Sequence, residues 1–262
     1  DNATRVRLPG PPGTSFETDE EAASLPAVIP WAGRGPTLNA VSTDVLTVLT
    51  ADNSFVDIAL TAVSGTTVTV AAGPTLDSGP DRVTEGQLMM VYKGSQSTLV
   101  QVTDVDAESR VLTFASGDSL NLNQPAAEFG SLLRLNEAEP ANTPAQTFIT
   151  RIRMITYYLD TATDAHHPRL VRRINNGHPT DFSNELGTAV ALDVENLQFT
   201  YDISNGTNNP GNVEMTDADT TEEGTCDDSP CAPTQVRKVN VMLTGRSREA
   251  GGHTVRAFHN TL

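Results

Sequence analysis

Between Asp202 and Val236 the chain carries no Lys, Arg or His, and it gathers Glu214, Asp217, Asp219, Glu222, Glu223, Asp227 and Asp228. Calcium takes six to eight oxygens from carboxylates, carbonyls and water. Asp217, Asp219, Glu222, Asp227 and Asp228 are therefore candidate calcium ligands, with a solvated charge run as the competing reading. The EF-hand pattern is absent. Cys226 and Cys231 sit in the same stretch with four residues between them. That spacing is too wide for a thioredoxin-type pair, and no second pair completes a four-cysteine zinc site. A small disulfide closing the loop is the expected state, with free thiols as the alternative, and it points to an oxidising compartment. His166 and His167 are adjacent, and His178 follows Asn175-Asn-Gly177. No His-x-His or His-Glu-x-x-His spacing occurs, so a catalytic zinc site is not expected.

Gly117-Asp-Ser-Leu120 spells the signature of the GDSL esterases, and Asp164-Ala-His-His167 supplies an Asp-x-x-His. A nucleophilic serine needs a base within hydrogen-bond reach and oxyanion donors on a rigid turn. The Gly and Asn blocks of those esterases are missing, and the Asp-x-x-His follows the serine too soon. The surrounding texture is antiparallel β, whereas that esterase fold alternates strands and helices. An ordinary turn is the expected role of Gly117–Leu120, with the esterase a remote alternative.

The elements that position these residues are read from alternation. Residues 1–36 read as a connecting arm with Pro9-Gly-Pro-Pro-Gly13, one helical turn over Asp19 to Ser24, and Trp31 as an anchor. From Thr43 the period is two: Thr43–Ala51, Phe55–Val63, Thr66–Ala71, Gly86–Tyr92, Ser97–Thr103 and Arg110–Phe114 read as short strands. Gly, Asp and Ser between them predict a small antiparallel sandwich or barrel over 37–136. The region 137–262 holds the longer runs Thr147–Asp160, Arg169–Ile174, Val190–Tyr201 and Val236–Thr244, with the acidic loop at 203–235. In Val190–Tyr201 the apolar phase changes from even to odd positions at Glu195-Asn196, which predicts a bulge there. Val239, Val241 and Leu243 form one buried face of the last strand.

With a formal net charge of −16 over 262 residues, the chain is a poor partner for nucleic acid or an anionic membrane. No apolar run approaches the ~18 residues of a membrane span. No signal peptide is visible at Asp1. Asn2-Ala-Thr4 and Asn205-Gly-Thr207 are sequons and serve as loop markers.

Taken in order, four segments resemble the C-terminal half of PilW-type minor pilins. They are Ile155-Thr-Tyr-Tyr-Leu159, Pro168-Arg-Leu-Val-Arg172, Val194-Glu-Asn-Leu-Gln-Phe-Thr-Tyr201 and Val236-Arg-Lys-Val-Asn-Val-Met-Leu243. Asp44-Val-Leu-Thr-Val and Leu99-Val-Gln-Val-Thr are similar to the variable β insertion of that family, so the resemblance covers roughly 40–245. It implies an α+β, mainly β fold: an antiparallel pilin-like sheet carrying an inserted small antiparallel β module. It implies no catalysis. The implied role is a structural subunit of an extracellular type IV pilus-like filament, acting through other pilin subunits and through surface presentation. The implied sheet residues are Tyr157, Tyr158, Leu197, Phe199, Tyr201, Val239, Val241 and Leu243. Membrane contact in that family runs through a long apolar N-terminal helix. The expectation is that this helix is missing from the given chain or encoded separately. A cation- or glycan-binding adhesive module is the alternative function, with calcium the one cofactor under consideration.

Overall fold

The computed structural model describes residues 5–9, 11, 15–21, 25–123, 132, 135, 146–174, 187–203, 211–213, 236–249 and 252–260. The amino-terminal arm is not the loop its prolines suggest. Strands β1 (Arg5–Pro9) and β2 (Ser15–Glu21) pair antiparallel, in a register that sets Arg5 opposite Glu21 and Arg7 opposite Glu17. Strand β2 takes up Asp19–Glu21 of the helical turn expected over Asp19–Ser24, and 22–24 lie outside the described residues. Strand β3 (Val28–Trp31) follows and buries Trp31 as an anchor. The short hairpin β4 (Thr37–Leu38) and β5 (Val41–Ser42) turns through Asn39 and Ala40, at φ of 50° and 66°. Two positive φ values in a two-residue turn match the right-handed twist of hairpin strands.

The expected β run appears as β6 (Val45–Ala51), β7 (Ile58–Val63), β8 (Thr67–Val70), β9 (Leu88–Lys93), β10 (Gln96–Gln101), β11 (Asp104–Asp106) and β12 (Val111–Thr113). After it come β13 (Thr147–Asp160), β14 (Arg169–Ile174), β15 (Thr188–Leu192), β16 (Val194–Ile203), β17 (Gly211–Val213), β18 (Val236–Glu249) and β19 (Gly252–Asn260). The class is mainly β, every strand pairing is antiparallel, and no α-helix occurs among the described residues.

Strand β13 is the hub. Its 14 residues have four partners, because each edge is long enough for two strands. Along one edge Thr147–Ile152 pairs with β9, and Ile155–Asp160 pairs with β14. Along the other, Phe148 and Ile149 pair with β7, and Ile152–Tyr157 pairs with β6. The first half completes a ring: β13–β7–β8–β12, then β11 and β10, then β9 and back to β13. Only Val102 and Thr103 separate β10 from β11, so one nearly continuous strand bridges β9 and β12. Ile58, Leu60, Val68, Val70, Met89, Val91, Val100, Leu112 and Ile149 fill the ring. Closing a sheet on itself removes its open edges.

The second half of β13 belongs to an open sheet, β3–β6–β13–β14–β15. Because successive side chains alternate, this sheet serves two cores. One face buries Ile152, Met154 and Tyr158 with Trp31, Leu8 and Leu122. The opposite face presents Leu46, Tyr157 and Leu159 to the second sheet, β17–β16–β18–β19, which supplies Leu197, Phe199, Tyr201, Val239, Val241 and Leu243. In β16 the register against β18 shifts between Val194 and Asn196, where the phase change predicts a bulge. The residue before it, Asp193, sits at φ 55°.

Gly187 opens β15 at φ +70°, and a Cβ there lies 2.7 Å from Val171 Cγ1 and 2.8 Å from the Arg172 carbonyl oxygen. Both contacts are inside any real Cβ distance, and one is to backbone. Gly187→Ala is therefore expected to cost at least ~2 kcal/mol through left-handed strain plus overpacking. The urea midpoint of the variant measures this; an unchanged midpoint would show that the entry to β15 adjusts freely.

Candidate functional site

The eight sheet residues fall into two cores. Seven of them, Tyr157, Leu197, Phe199, Tyr201, Val239, Val241 and Leu243, meet between the two facing sheets. Tyr158 points to the other side of β13 and is fully buried beside Trp31 and Val171. Adjacent residues of one strand cannot share a face, so the Tyr-Tyr pair ties both cores to one strand. Burial pushes the Tyr158 phenol up to about 12, with the Asp160 charge adding to it and Arg173 and Arg169 opposing it. The Tyr201 phenol is also raised, by burial first and by the Asp44 carboxylate second. Within the chain these residues hold the sheets together: Tyr158, Leu197, Phe199 and Tyr201 are buried, and Tyr157, Val239, Val241 and Leu243 are half-buried.

Buried carboxylates fasten the elements, and local patterning gave no sign of them. Asp44 is 5% exposed. Its Oδ1 accepts from the Gly33 N–H at 2.7 Å and its Oδ2 from the Phe199 N–H at 2.8 Å. The Asp44 N–H donates to the Leu197 carbonyl, so one residue joins the arm, β6 and β16. Asp52 pairs with Arg153 at 2.7 Å and Arg151 at 3.4 Å, and accepts from the Ser54 hydroxyl. Asp160 ends β13 and receives Arg169 Nε at 2.9 Å, the Thr163 hydroxyl at 2.7 Å and the Ala162 N–H at 2.8 Å.

Among the described residues, two concavities flank this core. A mostly apolar groove of about 270 Å³ lies across β6, β13, β9 and β10, lined by Leu25, Leu49, Met90, Leu99 and Ile152 among others. A smaller polar recess of about 130 Å³ is lined by Asn39, His166, Pro168, Glu195 and Arg246. Arg246 pairs with Glu195. The adjacent histidines diverge: His166 faces the recess, and His167 Nδ1 meets Asp193 Oδ1 at 2.6 Å. Asp164 instead accepts from the His166 N–H within its own turn.

Ser119 sits in a turn organised by its neighbour. Asp118 accepts from the N–H groups of Leu122 at 3.0 Å and Asn123 at 2.9 Å, and Leu120 is buried. The Ser119 hydroxyl donates to Gln101 Oε1 at 3.0 Å. An amide oxygen is no base for a serine, and Asn123 completes the knot by bonding the backbone of Gln101 and Ala115. Ser119→Ala is expected to leave any ester hydrolysis by the protein unchanged. A loss of hydrolysis in a normally folded variant would return this serine to a catalytic role.

Cys226, Cys231, Asp217, Asp219, Glu222, Asp227 and Asp228 lie outside the described residues, as do His178, Asn2 and Asn205. Among the described residues, no group of three or more His, Cys, Asp or Glu is placed to hold a metal ion. No helix among the described residues is long and apolar enough to cross a membrane.

No family model, no curated protein and no solved structure matches this chain.

Proposed function

We propose that the protein is a structural, mainly β subunit of a surface filament. Within that class, its role is that of a minor-pilin-like subunit of a type IV pilus-like assembly, acting outside the cell through contacts with neighbouring pilins. One observation carries the reading. The four segments that resemble PilW-type pilins form two antiparallel pairs, β13 with β14 and β16 with β18, and these pack face to face through one core. The apolar groove along Leu49, Met90, Leu99 and Ile152 supplies a further element of the proposal. It is the face on which an apolar pilin helix rests, and that helix makes the membrane contact before assembly. Nothing in this role requires a cofactor.

Immunogold electron microscopy tests the proposal directly, with antibody raised against this chain and applied to the cells that make it. Label on surface filaments, lost when the gene is deleted, is the expected result. Intact filaments without label, with the protein recovered only from the soluble fraction, would sink it.

A further inference from the structure

We infer that the edge of β15 left unpaired among the described residues is a strand-addition site for an extended segment of another polypeptide, one that carries acidic residues. The inference does not depend on the filament reading. An unpaired strand edge is a template for another chain, and proteins blunt such edges with very short strands, bulges, lysine, proline, inward charges or a cover. The ring around β13 leaves its own strands little edge to protect. On the open sheet, the edge strand β3 contains Pro30 and buries Ile29, Pro30 and Trp31. At the opposite edge, β15 pairs only with β14 among the described residues. Its sequence, Thr188-Ala-Val-Ala-Leu192, has neither a charge nor a proline. Val190 is 55% exposed and Leu192 69%. A register shift opposite Leu170 and Val171 leaves Val190 unpaired against β14, and this bulge is the one blunting device that β15 itself carries.

Charge selects the occupant. The chain carries −16 overall, yet the strand behind this edge is Arg169-Leu-Val-Arg-Arg-Ile174. Arg169 is taken by Asp160. Arg172 lies opposite Thr188, is exposed, and makes no ion pair among the described residues. Arg173 projects from the other face, where its charge acts on the Tyr158 phenol. Strands sit ~4.8 Å apart, so an arginine reaches across β15 to a residue on an added strand. Main-chain hydrogen bonds then supply affinity, Val190 and Leu192 supply apolar contact, and the two arginines favour Asp or Glu at the Thr188 end. A second copy pairing β15 with β15 brings the same arginines to the contact and lacks that complementarity.

The test titrates the full chain, labelled with nitrogen-15, with the synthetic peptide Asp-Thr-Val-Thr-Val-Thr-Asp and its counterpart Lys-Thr-Val-Thr-Val-Thr-Lys. The acidic peptide is expected to shift the amides of Thr188–Leu192 most, and to bind at least ~10-fold more tightly than the lysine peptide. In Arg172→Glu/Arg173→Glu, whose melting curve confirms folding, that preference reverses. No shift up to millimolar peptide, shifts centred elsewhere, or a preference indifferent to the arginine changes would each overturn the proposal. So would sedimentation showing that the free chain already dimerises through β15.

Discussion

Asp44→Ala is expected to destabilise the fold by about 4 kcal/mol, a larger effect than any surface substitution. The carboxylate is 5% exposed and is the acceptor for two backbone N–H groups, those of Gly33 and Phe199. Each buried donor left without a partner costs roughly 1–3 kcal/mol. Alanine strands both, and it offers no apolar surface in exchange. Asp44→Asn keeps one acceptor and turns an NH2 group toward the second donor, so about half of the loss is expected to remain. Urea unfolding at constant slope measures both variants. Hydrogen exchange adds a local reading, with the Phe199 amide losing protection first. A change below ~1 kcal/mol for the alanine variant would mean that water replaces the carboxylate without penalty.

The second large effect depends on pH. Burial pushes the Asp160 carboxyl up, but the hydrogen bonds from Thr163, Arg169 and the Ala162 and Thr163 N–H groups outweigh it, and the net position lies below 3.8. Asp52 is shifted the same way: burial raises it, and Ser54 and Arg153 more than compensate. A carboxyl lowered on folding contributes stability that is fully present above its unfolded pKa of about 4. That contribution is lost as pH falls through the folded value. Asp160→Asn is therefore expected to cost about 3 kcal/mol at pH 7, the lower end for removing one member of a buried pair. The gap to wild type should then shrink steadily below pH 4. A gap that stays constant down to pH 2 would show that Asp160 contributes through shape alone. Asp52, and Asp106 through its bonds from the Ser109 and Glu108 backbone, are shifted the same way and contribute to residual acid sensitivity in the variant.

Alternation made the strands legible where the pattern was local. The runs Thr147–Asp160 and Arg169–Ile174 coincide with β13 and β14, and the bulge at Glu195-Asn196 follows from the apolar phase, because one extra residue flips every later side chain. Trp31 was legible as an anchor because a large aromatic in a polar arm has few other uses. Partners were not legible. Thr47 and Thr156 share a hydrogen bond across 109 residues, and no local period encodes such a register. Buried carboxylates were missed for the same reason, since the N–H groups they satisfy lie far away in sequence. A helical turn was expected over Asp19–Ser24, and pairing with β1 makes Asp19–Glu21 part of a strand instead. Strand β19 went unread although Thr254, Arg256 and Phe258 alternate with Val255, Ala257 and His259. Only pairing with β18 makes that mixed pattern a strand.

A chain made from its amino terminus emerges in sequence order, and that order bears on β13. Strands β6 to β12 are complete once residue 113 has emerged, but the ring they form lacks one stave until 147–152 follows. During that interval β7 and β9 each present a bare edge, and Met89 and Val91 have no lid. The most edge-rich moment in the life of this chain therefore falls during synthesis. A chaperone that holds nascent strands is needed most while roughly 35 residues between β12 and β13 are being added.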